Sequence, residues 1–168
     1  MRNTFCVVLA AAAALCTPSF GAAQIVFGDI GFQVSDQRGN AAGDACWGFS
    51  CRSHNLAVRR GAQLQSTVRA PLGSPYVVFI AQSAPNCLPI VGSHHEFVLS
   101  FPAFAPLFFG SVDERNTARF CYDGLKRDSL PLPPSLFGFS FALQAVAVAP
   151  NPSRVPWVWS SAVEIAIR

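Results

Sequence analysis

The sequence predicts an all-β protein: a single antiparallel β-sandwich, immunoglobulin-like or jelly-roll-like, stapled by disulfides. Three observations predict it. Apolar residues recur at a spacing of two in several short segments, and nowhere at a sustained helical spacing. The 12 glycines and 13 prolines fall at short intervals between those segments. The chain is 51% hydrophobic and 12% charged, with Lys126 its one lysine, which excludes a disordered chain and a Lys/Glu-rich helical bundle.

The amino-terminal part reads separately. Arg2 precedes an almost unbroken apolar run over residues 5–15, too short for the roughly 20 residues that span a bilayer. Gly21 and Ala23 then fit the small-x-small rule of a cleavage site. Residues 1–23 are therefore expected to be a secretory signal peptide, with 24–168 as one β-sandwich domain. A lipoprotein signal at Cys16 fits poorly, because Ala14 and Leu15 do not form the required box. Removing 1–23 leaves 145 residues and lowers the formal net charge from +3 to +2. That charge is too weak to point to nucleic acid or an acidic membrane. No later apolar run reaches about 18 residues, so no transmembrane segment is expected after cleavage. The expected location is secreted or periplasmic.

Four cysteines remain: Cys46, Cys51, Cys87 and Cys121. An even number in an exported chain predicts two disulfides. Of three possible pairings, Cys46–Cys51 with Cys87–Cys121 is preferred, since residues 47–50 can turn and bring the first pair together. A metal site on Cys46, Cys51 and His54 is the alternative, but it lacks a fourth ligand. No metal and no cofactor are expected.

The strands follow in order. Ile30, Phe32 and Val34 alternate with small or polar residues. Leu64 and Val68 share a face within 62–70, with Gln63, Gln65, Thr67 and Arg69 opposite. Residues 76–81 and 97–101 are nearly all apolar, as in strands packed on both faces. A long strand is expected over 137–148, with Phe137, Phe139, Phe141 and Leu143 on one face. Its phase slips after Gln144; either a β-bulge near Gln144-Ala145 or burial on both faces accounts for this. Val163, Ile165 and Ile167 alternate in the last strand. Turn chemistry separates these segments at 39–44, 71–75, Pro85-Asn86, Gly92-Ser93, Asp123-Gly124 and 150–152.

Each candidate for chemistry has a plainer reading beside it. His94, His95 and Glu96 invite a metal or acid/base role, yet neighbours on a strand face opposite ways. A solvated turn is the simpler account. No nucleophile-elbow, phosphate-loop or zinc-protease motif is present. A Ser–His–Asp triad drawing on His54 or His95 from distant positions stays open. Asp113, Glu114, Arg115 and Arg119 read as a solvated ion-pair loop. Trp157 and Trp159 share a strand face and form either a carbohydrate platform or edge packing. Residues 101–109, with four phenylalanines and two prolines, form either an exposed patch or a Pro-cornered pair of core strands. The LPLPP run at 130–134 reads as a rigid entry to the following strand rather than a polyproline ligand.

The carboxyl half resembles a β-rich module found in many secreted bacterial proteins. The segments that carry the resemblance are SLPLPPSLFG at 129–138, FALQAVAV at 141–148 and SSAVEIAI at 160–167. Gln144 occupies the position of the module's glutamine, and Ser161-Ala162 that of its small pair. The chain departs from the pattern at Ala149-Pro150, where an acidic residue is usual, and lacks the asparagine of the last motif. The resemblance spans about residues 55–168. It implies a secreted sandwich without an assigned activity, and no catalytic residue.

The expected function is a non-enzymatic structural or interaction module with a protein or glycan partner. The alternatives are a carbohydrate or small-ligand binding module using Trp157 and Trp159, and a hydrolase with a non-contiguous histidine site.

Overall fold

The computed structural model describes residues 30–46, 51–89, 96–100, 104–118, 121–149 and 156–168. The expected signal peptide, His94, His95 and the turns at 92–93 and 150–152 lie outside these residues.

Twelve strands are described: β1 (Gly31–Asp36), β2 (Ala41–Asp44), β3 (His54–Val58), β4 (Gln63–Ala70), β5 (Pro75–Ala81), β6 (Ser83–Pro89), β7 (Glu96–Leu99), β8 (Ala105–Ser111), β9 (Glu114–Arg115), β10 (Gly124–Pro131), β11 (Ser140–Val148) and β12 (Trp157–Ile167). Sheet A has the order β2-β1-β4-β10-β9, and sheet B the order β3-β12-β11-β5-β8. Every pairing in them is antiparallel except β3 with β12. The remaining two strands, β6 and β7, form an antiparallel pair of their own.

Alternation explains the main core. Phe32, Val34, Leu64 and Val68 point inward from sheet A and meet Tyr76, Val78, Leu143, Val163 and Ile165 from sheet B. Burying each such side chain contributes about 1.5–3 kcal/mol. The other face of sheet B is also apolar over β5, β11 and the first half of β12. Ala81, Ala142, Val146, Trp159 and Ala162 pack there with Phe97, Val98 and Leu99 of the β6–β7 pair. This is why residues 76–81 read as continuously apolar: β5 is covered on both sides.

Gln144 lies at the centre of the second cluster and is 0% exposed. Its Oε1 accepts the Val98 N–H at 2.9 Å, and its Nε2 donates to the Ser160 carbonyl at 2.8 Å. The β11–β12 register shifts at this point, from Gln144↔Ala162 to Val146↔Trp159. A bulge near Gln144 is thus present, but the extra residue is on β12, where Ser160 and Ser161 both lie opposite Ala145. Ser160 Oγ closes it, accepting the Ala145 N–H at 3.0 Å and donating to the Ser161 carbonyl at 2.8 Å. Burial on both faces of β11 therefore accompanies the bulge and accounts for the apparent slip in phase.

Several expectations change. The disulfides are Cys46–Cys121 and Cys51–Cys87, with Cα separations of 4.6 and 5.3 Å, not Cys46–Cys51 with Cys87–Cys121. The reason is topological. Cys46 follows β2 in sheet A, and Cys121 precedes β10 of the same sheet. Cys51 leads into β3 of sheet B, and Cys87 lies in β6. The chain changes sheets between Cys46 and Cys51, so each cysteine meets the partner on its own side. Both cysteines of the proposed metal set are consumed in this way. The strand expected over 137–148 begins at Ser140, because Pro133 and Pro134 start a 3-10 turn over Pro134–Leu136. Phe137 and Phe139 consequently lie outside the core at 62% exposure. Residues 41–44 form edge strand β2 instead of a turn. Pro85 and Asn86 lie inside β6, where the ladder to β7 is irregular and a missing N–H is tolerated.

Candidate functional site

The one described histidine with an acidic neighbour is His54, at the start of β3. Its Nε2 is 3.3 Å from Asp44 Oδ2 of β2. The same oxygen accepts the Ser161 Oγ–H at 2.5 Å. Serine, histidine and aspartate are thus brought together, as the triad reading required, but in the wrong order. A hydrolytic triad needs the imidazole between hydroxyl and carboxylate. Here the carboxylate is between, and the Ser161 hydroxyl donates to Asp44 rather than to His54. The trio joins the β2 edge of sheet A to β3 and β12 of sheet B.

A second polar tie crosses the sandwich from β5 to β10. The Tyr76 O–H donates to Asp128 Oδ2 at 2.7 Å. Burial and the adjacent Asp128 carboxylate push the phenol's pKa well above its usual value. The acids of the expected ion-pair loop find their partners on β10: Asp113 pairs with Lys126 at 2.6 Å and Glu114 with Arg127 at 2.5 Å, while Glu114–Arg115 form β9 and Arg119 lies outside the described residues. The hydrogen bond from Lys126 holds the Asp113 carboxyl below its ordinary pKa.

The aromatic candidates separate. Trp159 is 8% exposed, with its ring 5.0 Å from that of Phe97 and 5.6 Å from that of Phe79. Trp157 is 41% exposed at the start of β12. One ring is core and the other surface, so the two do not form a flat platform. The stretch 101–109 also divides. Phe104 packs edge-on against Phe79 and Phe97. Leu107 and Phe108 pack on the main core, while Phe109 is 79% exposed. Residues 101–103 lie outside the description.

The outer faces of the two sheets differ. Sheet B is apolar there over β5, β11 and the first half of β12, where the β6–β7 pair covers it, while Glu164 and Asn55 lie toward its β3 edge. Sheet A presents polar cross-strand rows: Ser35, Gln65 and Ser129 in one, and Gln33, Thr67 and Arg127 in the next. At one end of this face a shallow depression of about 260 Å³ is lined by Ser35, Asp36, Gln37, Gln63, Gln65 and Ser129, with Leu64 beneath. A second one, about 120 Å³, adjoins it through the shared Asp36 and Gln37, and is lined by Arg38, Arg59 and Arg60. Sequence reasoning placed Gln63 and Gln65 on the solvent face of β4 but assigned them no role. The adjacent Arg59-Arg60 pair between two strands was the available signal; its meeting with Arg38 depends on the packing of two turns.

No protein-family model matches the chain, and no curated protein matches it in sequence. The solved structures to which the chain is similar include the following two. Entomopoxvirus fusolin aligns at a TM-score of 0.41 and 11% identity over 71% of this chain and 39% of its own. A cellulose-active polysaccharide monooxygenase from M. thermophila aligns at 0.34 and 11% over 69% of this chain and 55% of its own. The chain therefore spans less than two thirds of either protein. At such scores neither structure informs the function of this one.

Proposed function

We propose that the chain is an exported, non-enzymatic binding module whose ligand lies on the outer face of sheet A. The observation that carries this is the contrast between the two outer faces. Sheet B's is apolar over β5, β11 and the first half of β12, where the β6–β7 pair covers it. Sheet A's carries hydroxyl and amide side chains in cross-strand rows, with Gln65 and Ser129 exposed. Such groups donate and accept hydrogen bonds without requiring a charged ligand. The Asp44-centred arrangement supports a non-enzymatic role, since its serine hydroxyl is committed to the carboxylate. Export is supported by the leader-like residues 1–23 and by two disulfides, which persist in oxidising compartments.

The test is a glycan array and a cross-linking search for protein partners, run with the wild type and with Gln65→Trp. A bulky ring at the centre of the polar row is expected to abolish binding while leaving the melting temperature unchanged. Binding indifferent to Gln65→Trp, or substrate turnover abolished by Ser161→Ala, refutes the reading.

A further inference from the structure

We propose that the end of this face where Arg38, Arg59 and Arg60 converge is a site for an anionic glycan, a polysaccharide bearing carboxylate or sulfate groups. The inference rests on the binding-module reading and specifies its ligand. Three arginines line one small depression, each in a turn. Arg38 lies in the β1–β2 turn, and Arg59 and Arg60 in the β3–β4 turn.

Both turns are held by their own hydrogen bonds. Asp36 Oδ1 accepts the N–H groups of Arg38 and Asn40, at 2.9 and 3.0 Å, and its Oδ2 accepts Asn40 Nδ2 at 2.8 Å. Gly39 takes the left-handed conformation that closes this turn, with φ of 87°. In the other turn Gly61 has φ of 70°, the Ala62 N–H donates to the Arg59 carbonyl, and the Arg60 N–H donates to the Arg168 carbonyl. The arginines thus project from a fixed backbone, which lowers the ordering cost of binding.

The positive charge exceeds that of the one carboxylate lining the depression, Asp36, which attracts Arg38. Lys126 and Arg127 each have a carboxylate partner, and the Arg69 guanidinium donates to the Ala45 carbonyl at 2.6 Å. Among the described residues no carboxylate forms an ion pair with Arg59 or Arg60. Asp36, the one acid in the depression, has both oxygens engaged by its own turn. Guanidinium forks match carboxylate and sulfate oxygens bidentately.

The adjoining depression decides the rest of the ligand. Its lining of Gln37, Gln63, Gln65, Ser35 and Ser129 suits sugar hydroxyls. Neither depression has an aromatic side chain among its lining residues, so nucleic-acid bases find no ring to stack on. A glycan with an acidic group at the arginines and hydroxyls along the amides fits both halves.

The experiment measures affinity of the full chain for polygalacturonate, dextran sulfate, uncharged dextran and oligothymidylate, at low salt and at about 0.15 M. Binding to polygalacturonate, to dextran sulfate or to both is expected, and which binds identifies the acidic group. The double variant R59A/R60A should weaken it by on the order of tenfold or more. R59K/R60K, which keeps charge and loses the fork, should fall between. Equal anionic-glycan affinity in wild type and R59A/R60A overturns the proposal, as does tighter binding of oligothymidylate than of either anionic glycan. If neither anionic glycan binds but a ligand sensitive to Gln65→Trp is found, the anionic site falls and the binding-module reading stands. If nothing binds, both fall.

Discussion

Replacing Gln144 by leucine tests the packing of the third layer. The substitution keeps side-chain volume roughly constant, so little cavity forms and the cost is mainly polar. Two backbone groups lose their partner: the N–H of Val98 and the carbonyl of Ser160, in residues 0% and 1% exposed. Each buried group left unpaired costs about 1–3 kcal/mol. The expected destabilisation is therefore about 2–6 kcal/mol, a fall in Tm on the order of 10 °C for a chain of this size. Urea unfolding of wild type and Gln144→Leu, fitted for midpoint and slope, measures it. Hydrogen exchange adds a local readout, because the Val98 amide should lose protection. A loss under about 1 kcal/mol with an unchanged slope and a protected Val98 amide would show that the glutamine does not tie the β6–β7 pair to sheet B.

The other predictions address the remaining features. Trp159→Ala should cost about 3–5 kcal/mol as a core truncation, whereas Trp157→Ala should cost under about 1 kcal/mol because that ring is largely at the surface; similar losses in both melts would contradict the separation of the two rings. Non-reducing peptide mapping should recover Cys46 linked to Cys121 and Cys51 linked to Cys87. Changing Cys46 and Cys121 to serine together should cost about 2–5 kcal/mol in chemical denaturation. For pH, Tyr76 has a raised folded pKa, so its contribution is fully present below the unfolded value of 10.0 and is lost as pH rises through the folded one. Spectroscopic titration should show one tyrosine ionising late, and Tyr76→Phe should flatten the alkaline loss of stability. Asp36 is the opposite case: the Asn40 side-chain bond lowers its pKa, so its contribution is present above 3.8 and lost as pH falls through the folded value. Asp36→Asn should remove that acid-side dependence.

What the sequence makes legible here is whatever repeats locally. Phe32 and Val34, or Val163, Ile165 and Ile167, announce their buried face by a spacing of two, and each lies in the core. The uninterrupted run at 76–81 announces a strand covered twice, though not what covers it. The disulfide pairing was not legible, because loop length favours near neighbours while the sheet change between Cys46 and Cys51 separates them. The same limit applies to Trp157 and Trp159, identical in type and face, of which only the second falls under Phe97 of β7. Phe137 and Phe139 read as the continuation of a strand face, yet the prolines upstream delay that strand by three residues. The tryptophans and the cysteines were decided by which distant segment came to rest against them, and the start of β11 by the proline turn beside it.

That dependence bears directly on where function resides. Polar side chains able to do chemistry are used to hold the sandwich together: Ser161 and His54 meet on Asp44 at one edge, Tyr76 meets Asp128 across the core, and Gln144 secures the third layer. Buried polar groups of this kind must be satisfied internally, and once satisfied they have little left for a ligand. The groups that retain unused hydrogen-bonding capacity are those the sequence presents as ordinary solvent-facing residues, Gln65 and Ser129 on the sheet and Arg59 and Arg60 in a turn. Their significance comes from convergence rather than type. A substitution at Gln144 should therefore impair folding first and binding only in proportion. One at Arg59 or Gln65 should do the reverse.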